Sequence, residues 1–204
     1  MGSENRTLKL IKTIVGRSYR RMTIDPADIG YLQYPEFRSS HQLFIRPRTR
    51  RLAGNWDQEI DADVFWSSVY EPARDAVRGM VPLHRYVFYS SLEARFLDNE
   101  PWQDTRWYRW LIARQDNAPV RRYRNKDEVA ERLEFLEMLY SDFKSGQYRD
   151  EAVSRPIINI GRQGRLAIED GRHRLCMARV AGLKQLSVDV NVIHADTQQV
   201  LFEE

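Results

Sequence analysis

The sequence predicts an α+β fold, a small mixed sheet with helices, and three observations support this prediction. The last third of the chain alternates apolar and polar residues in short runs, which is typical of strands. A Gly-containing turn joins two of these runs, and a helical pattern precedes the final one. The middle of the chain spaces its apolar residues as helices do. Helical and strand runs that are grouped rather than strictly alternating favour α+β over α/β.

The composition limits the classes of protein to which this chain can belong. The chain has 204 residues, of which 42% are hydrophobic and 30% charged, so it can bury a sizeable core. No apolar run approaches the roughly 20 residues of a membrane-spanning helix, and the N-terminus lacks the pattern of a secretory signal. One cysteine, Cys176, excludes an internal disulfide. Together these features predict a cytoplasmic protein.

The N-terminal region combines a basic amphipathic stretch, Thr7–Arg21, with a loop-rich segment. Apolar residues recur in the stretch at the spacing of one helical face, and they are Leu8, Ile11 and Ile14 or Val15. We expect a helix packed on its own domain, and a membrane-surface or nucleic-acid contact is the alternative. Pro and Gly then punctuate Asp25–Trp56, which predicts loops and short strands, the best of them at Leu43–Ile45.

Arginine dominates the basic residues, since 27 of the 32 are Arg and five are Lys. Its planar fork of donors suits phosphates and carboxylates. The densest cationic run consists of Arg46, Arg48, Arg50 and Arg51. We interpret this run as a solvated loop, with contact to a phosphate backbone as the alternative. Alternating acids follow and either neutralise the run or line one side of a strand; they are Asp57, Glu59, Asp61 and Asp63.

Helices are predicted for the middle of the chain, one over Val87–Leu97 and a second opened by Pro101–Asp104. The second carries aromatic residues beside Arg106 and Arg109, and these are Trp107, Tyr108 and Trp110. They form core in our interpretation, and a surface that stacks on nucleic-acid bases is the alternative.

A third helix begins at Asn125, because Glu128 three residues later gives a capping-box-like start, and it ends near Gly146. Its predicted buried stripe is Val129, Leu133, Leu136 and Tyr140.

The last third gives the clearest pattern. Residues 158–160 and 166–168 alternate on either side of the turn Gly161–Gly164, which predicts a β-hairpin. A helix over Gly171–Ala181 follows, and Gly182 is its C-terminal stop. Alternating valines then predict a final strand, and they are Val188, Val190 and Val192.

The strongest functional signal is Asp-Gly-Arg-His-Arg at residues 170–174, where a strand passes into a helix. Arg172, His173 and Arg174 occupy a first turn that ordinarily carries Asp or Glu, because the helix dipole is positive there. A bound anion would complete the arrangement, since a helix N-terminus suits phosphate. Gly171 would let the backbone approach that phosphate without an intervening Cβ.

Simpler roles remain open for three of these positions. Asp170 fits an ordinary N-cap, and His173 fits a hydrogen bond at the helix start without any ligand. Glu169 fits the exposed end of a strand.

The same order of elements and residues resembles the ParB/sulfiredoxin superfamily over Glu128–Val192, about a third of the chain. The similar segments are the strand at residues 155–160, the hairpin, residues 170–174 and Ala181–Leu183. Met22–Pro26 is similar to the short strand that precedes the core in many members. The resemblance implies a sheet core of that type with a nucleotide-phosphate cradle at the helix start.

Comparison within the superfamily favours one branch. Sulfiredoxins carry a catalytic Cys where this chain has Arg172, so we expect no sulfinic-acid reductase activity, and Cys176 is expected in the core. Chromosome-partition proteins have a Gly-Glu-Arg-Arg box for CTP and then a DNA-reading helix-turn-helix. About a dozen residues follow Val192, so we expect no such module. Free serine kinases carry Asp-Gly-x-His-Arg, the pattern most similar to residues 170–174.

That branch implies specific roles for the motif. Asp170 and His173, with Glu169, would serve phosphoryl transfer, and Asp170 would hold Mg²⁺. ATP, ADP or CTP would be bound by the cradle, whose residues are Gly171, Arg172, His173, Arg174 and, closing over from the hairpin turn, Arg162. The kinase-like members also keep a second catalytic carboxylate in their N-terminal part. Its candidates in this chain are Glu36, Asp57 and Glu93.

The predicted organisation is a core at residues 121–204 with an extension at residues 1–120, helical and aromatic-rich, packed on it. The predicted function is transfer of a nucleoside triphosphate's phosphoryl group to a small hydroxyl-bearing acceptor, or its hydrolysis. The alternatives are a ParB-like nuclease or nucleic-acid-binding protein, and a sensor that binds nucleotide without turnover.

Overall fold

The computed structural model describes residues 20–34, 49–64, 78–114, 125–148 and 155–197, which form a seven-stranded mixed sheet with four α-helices. The α+β prediction is confirmed. The strands are β1 (Arg20–Ile24), β2 (Ile29–Tyr34), β3 (Arg50–Leu52), β4 (Gly79–Pro82), β5 (Ile157–Ile160), β6 (Leu166–Asp170) and β7 (Leu186–His194). The helices are α1 (Val87–Phe96), α2 (Arg106–Arg114), α3 (Lys126–Lys144) and α4 (Arg172–Ala181).

The sheet has the strand order β1-β7-β5-β6-β2-β4, and β3 also pairs with β7. The predicted hairpin is the antiparallel pair β5–β6, and it lies between the parallel neighbours β7 and β2. Strands from residues 1–120 therefore lie on both sides of the three strands from residues 121–204. The predicted boundary near residue 120 does not separate two sheets, because strands pair with partners that are distant along the chain, whereas a sequence pattern reports only on neighbouring residues.

Two of the predicted helices begin or end at the capping residue that the sequence indicates. Asn125 Oδ1 accepts a hydrogen bond from the Glu128 amide at 2.9 Å, and Gly182 stops α4 in the left-handed conformation. The second helix begins later than predicted, at Arg106. Thr105 Oγ1 accepts from the amide of Tyr108 at 3.3 Å and is its cap, while Trp102–Asp104 form a short 3-10 turn.

Three N-terminal predictions are corrected. Arg20 and Arg21 begin β1 rather than ending a helix, because pairing with β7 overrides the local helical spacing. Arg50 and Arg51 lie in β3 and not in a loop. The alternating acids do not share a strand, since residues 53–63 are irregular. Residues 7–19, Glu36, Leu43–Ile45, Arg46 and Arg48 lie outside the described residues.

The two faces of the sheet differ. One face shares a continuous apolar core with all four helices, and it includes Leu32, Ile158, Ile168 and Val190. The opposite face carries a smaller cluster of Trp56, Met80, Ala167 and Val192. The segment at residues 53–64 contributes Trp56 to that second cluster, so the central strands are covered on both faces. Among the residues described, no helix is both long and apolar enough to cross a membrane.

Candidate functional site

The candidate site is the junction where β6 ends at Asp170 and α4 begins at Arg172. Gly171 is the N-cap and has φ +74°, a left-handed conformation that glycine adopts at little cost. A Cβ at this position would lie 2.9 Å from Pro156 Cα. Both the backbone conformation and the close approach of Pro156 therefore require glycine, and this requirement holds without any ligand.

Asp170 and Arg174 flank Gly171 at the surface. Asp170 is exposed, and its Oδ1 accepts a hydrogen bond from the Gly171 amide at 2.7 Å. Asp170 thus precedes the N-cap instead of being it. A guanidinium nitrogen of Arg174 lies 3.3 Å from the position of a Cβ on Gly171. One carboxylate and one guanidinium therefore lie beside Gly171 at the positive end of α4, and residues 171–174 are half-buried.

Arg172 and His173 turn inward from this junction. The His173 ring packs edge-to-face on Phe88 of α1, with 4.7 Å between the ring centroids. The Arg172 Nε atom is fully buried although the residue as a whole is half-buried. Burial lowers the pKa of the Arg172 guanidinium to about 10, so it remains a cation at neutral pH. Arg172 thus contributes positive charge near the junction, and the Arg174 guanidinium lies next to Gly171.

Glu169 is not an exposed strand end, because its side chain is completely buried. A bulge interrupts the alternation of β6 here, because Ile157 pairs with Asp170 and Ile158 with Ile168, which leaves Glu169 between the two pairs. Glu169 lies on the face with Ala167, where its Oε2 accepts a hydrogen bond from Asn159 Nδ2 at 2.7 Å. The Glu169 carboxylate is thus buried and bonded to Asn159, whereas the Asp170 carboxylate is exposed and bonded to the Gly171 amide.

A buried row of hydrogen-bonded polar side chains explains why the Glu169 side chain can be buried. Asn159 donates also to Gln33 Oε1 at 3.3 Å, and its Oδ1 accepts from the Val192 amide at 3.1 Å. Gln33 in turn donates to the Gly79 carbonyl at 2.9 Å. The row crosses β2, β6 and β5, and its members satisfy one another as buried polar groups must. The sequence led us to interpret Glu169 as the exposed end of a strand, and coverage of both faces of the sheet explains the difference.

Arg162 lies at the opposite end of the hairpin from Gly171. Ile160 pairs with Leu166 beside the turn, whereas Ile157 pairs with Asp170, so the two positions are separated by about 13 Å of strand. Arg162 instead pairs with the buried carboxylate of Asp57, with 2.7 Å between the guanidinium and Oδ1. The Arg162 amide donates to the same carboxylate at 2.6 Å. The structure does not bring Arg162 into the cradle.

The Asp57–Arg162 pair gives a pH-dependent contribution to stability. Burial raises the pKa of Asp57, but hydrogen bonds from Arg162 and the nearby charges of His194 and Arg162 outweigh it, so the pKa lies below its usual 3.8. A carboxyl with a lowered folded pKa stabilises the fold above its unfolded pKa and loses that effect as it is protonated. We expect the unfolding free energy of the wild type to exceed that of Asp57→Asn at neutral pH.

This difference should shrink in acid as pH falls below the usual carboxyl pKa of about 4. Urea unfolding of both proteins across that range measures it. A difference that is constant with pH would show that the lost contacts are steric and not ionic.

The other carboxylates considered from the sequence are engaged elsewhere. Asp61 and Asp63 contact Arg85, Asp63 also pairs with Arg106 at 2.8 Å, and Glu59 accepts from Tyr31. Glu93 faces Tyr89 in α1, where burial raises the tyrosine's pKa. Among the described residues, no group of three or more His, Cys, Asp or Glu is placed to hold a metal ion. Of the candidates for a second catalytic carboxylate that the structure describes, Asp57 pairs with Arg162 and Glu93 faces Tyr89.

The aromatic residues of the middle helices form core. Trp107 is completely buried and packs on Phe88, and Trp102 is buried and donates to Glu137 at 2.7 Å. Arg109 bonds the Asp104 carbonyl. Tyr108 and Trp110 are half-buried and pack against the same core. Cys176 is also in the core, as predicted, and burial raises the pKa of its thiol.

No family model, curated protein or solved structure matches this chain. The resemblance to the ParB/sulfiredoxin superfamily therefore rests on residues 170–174 and on the order of elements around them. Two contacts at this junction had no signal in the sequence, Pro156 against Gly171 and Phe88 beneath His173. Both join residues that only the fold brings together.

Proposed function

We propose that the start of α4 binds the phosphates of a nucleotide and that the protein transfers the terminal phosphoryl group to a small hydroxyl-bearing acceptor, or hydrolyses it. The observation that carries this proposal is the half-buried first turn of α4, which holds three basic residues and no acidic one. Helix N-termini stabilise anions through the dipole and the first amides. The guanidinium groups of Arg172 and Arg174 would add to this attraction for a phosphate.

The contacts at the junction suggest how a phosphate would be received. Asp170 Oδ1 accepts a hydrogen bond from the Gly171 amide. Such an amide is the kind of donor that binds phosphate oxygens. A bound phosphate would displace that carboxylate and accept from Gly171 and Arg174. Asp170, once released, would stand beside the phosphate, where a carboxylate can orient an attacking hydroxyl. Asp170 is the residue to which we assign the catalytic role.

The residues at this junction would bind Mg²⁺ only together with the phosphates of a bound nucleotide. Mg²⁺ commonly binds through one or two carboxylates together with substrate phosphates. Asp170 offers an exposed carboxylate at this junction. Bound Mg²⁺ would neutralise charge on the transferred group. A cytoplasmic location belongs to the same proposal, because nucleotide and Mg²⁺ are available there.

Calorimetric titration tests the binding step. ATP, ADP and CTP, each with Mg²⁺, are titrated into the wild type and into Arg174→Ala. Loss of a hydrogen bond to a charged group costs about 1.5–3 kcal/mol, so we expect affinity to fall roughly tenfold or more.

Lys126→Ala is the matched control, because Lys126 is also the first-turn cation of a helix, but Asn125 caps that helix. Its affinity should equal that of the wild type. Absence of binding by every nucleotide, or equal losses in both variants, would overturn the proposal.

A further inference from the structure

The residues that precede β5 form one wall of the junction at Gly171. A Cβ on Gly171 would lie 2.9 Å from Pro156 Cα and 3.0 Å from Pro156 Cβ. Because the two residues are in contact, a displacement of Pro156 would change the space beside the Gly171 amide. The position of Pro156 therefore matters for an anion that binds at the start of α4.

Pro156 has few anchors of its own. Proline has no N–H, so its main chain can be held only through the carbonyl and through packing. On the side of β6 the ladder is irregular, because the register of β5 and β6 shifts between Ile157 and Ile158. Regular pairing with β6 therefore does not fix Pro156 against Gly171.

Asp189 of β7 holds this segment through its main chain and its side chain. The Asp189 amide donates to the Pro156 carbonyl at 2.9 Å. The Asp189 carboxylate accepts from Arg155 Nε at 3.1 Å. Ile157 lies opposite Asp189 in the parallel ladder of β5 and β7. One residue of β7 thus anchors two consecutive residues that precede β5.

The ion pair between Arg155 and Asp189 is partly shielded from water. The Asp189 side chain is 7% exposed and the Arg155 side chain 27%. Salt screens such a pair less than a pair at the surface, and the hydrogen bond is assisted by both charges. Arg155 also precedes a proline, which confines its main chain to extended conformations. The bond to Asp189 therefore fixes where Arg155, and with it Pro156, lies in the sheet.

We propose that Arg155 and Asp189 hold Pro156 against Gly171, set the geometry of the Gly171 amide and so act as positioning residues for phosphate binding. Neither residue needs to touch the ligand. The functional part of this proposal rests on the nucleotide site proposed above. Its structural part, that the ion pair sets the geometry at Gly171, can be tested without a ligand.

Removal of the ion pair tests both parts. In ligand-free, isotope-labelled protein, Arg155→Gln should shift the Gly171 amide resonance, because Pro156 loses one of its two anchors on β7. ATP with Mg²⁺ should bind roughly tenfold more weakly by calorimetry, the lower end of the loss when an outer contact that orients metal ligands is removed. Asp189→Asn removes the same ion pair but keeps the amide bond to Pro156, and it should give the same two effects.

Two further variants separate positioning from general stability. Arg155→Lys keeps a cation for Asp189, so it should lie close to the wild type in both measurements. Arg95→Gln is the matched control, because Arg95 also bonds a carboxylate through Nε, that of Glu137 at 2.7 Å, and its side chain is 31% exposed. That pair joins α1 to α3. Its loss should leave the Gly171 resonance and the nucleotide affinity unchanged, even where it lowers the denaturant midpoint.

An unshifted Gly171 resonance in Arg155→Gln and Asp189→Asn would overturn the proposal, and a fall in affinity without that shift would mean that Arg155 contacts the nucleotide itself. Equal shifts in Arg95→Gln would reduce the effect to a general loosening of the fold and also overturn it. A shifted resonance with unchanged affinity would overturn the functional part. Absence of nucleotide binding by the wild type would instead contradict the proposed function, and the ligand-free shift would still decide whether the ion pair positions Gly171.

Discussion

Asp170→Asn is expected to slow phosphoryl transfer by roughly 10²- to 10⁴-fold, the usual contribution of a positioned acid or base. Asparagine keeps the oxygen that accepts from the Gly171 amide, so the junction should retain its shape. Nucleotide affinity should be unchanged or higher, because a negative charge beside the phosphates is removed. Phosphate release and product analysis measure turnover, and calorimetry measures affinity on the same samples.

Asp98→Asn is the control for this change, since Asp98 is an exposed aspartate beyond the end of α1. It should leave turnover intact. If the wild type and Asp170→Asn turn over nucleotide at the same rate, Asp170 only caps the Gly171 amide. If the wild type binds nucleotide without any phosphate release, the sensor alternative replaces the kinase or hydrolase.

Asn159→Ala is expected to lower the free energy of unfolding by about 3–5 kcal/mol. The change would remove a hydrogen-bond partner of the buried Glu169 carboxylate and also the hydrogen bonds that Asn159 makes to Gln33 Oε1 and the Val192 amide. Each buried group left unsatisfied costs about 1–3 kcal/mol, and a charged one more. Denaturant unfolding monitored by circular dichroism gives the value.

Asn55→Ala is the corresponding control, because Asn55 is exposed and its amide oxygen only accepts from Arg162 at 3.3 Å. Its effect should stay within about 0.5 kcal/mol. A similarly small loss for Asn159→Ala would mean that the polar row is hydrated or easily rearranged, and the account of Glu169 as a structural carboxylate would be wrong.

Local features of the sequence were sufficient for much of the fold. The cap at Asn125, the hairpin turn at Gly161–Gly164 and the stop at Gly182 each depend on neighbouring residues, and each lies where predicted. The α+β class follows from such elements. These signals act over a few residues, which is the range that a single sequence reveals.

Features that depend on strand pairing could not be predicted in the same way. Arg162 was placed at the cradle because it precedes the motif closely in sequence, yet the hairpin carries it to the far end. Glu169 was read as exposed because alternation does not show that both faces are covered. The pairing of both β1 and β3 with β7 also joins residues that lie far apart along the chain. Each error or omission has the same cause, a contact between residues distant along the chain.

The most direct test of the central claim, a phosphate site at the start of α4, is a titration of isotope-labelled protein with ATP and Mg²⁺ followed by amide chemical shifts. We predict that the largest shift occurs at the Gly171 amide, as Asp170 is displaced, with smaller shifts at residues 172–174. Unchanged resonances at residues 170–174, or shifts confined to another part of the chain, would contradict the claim.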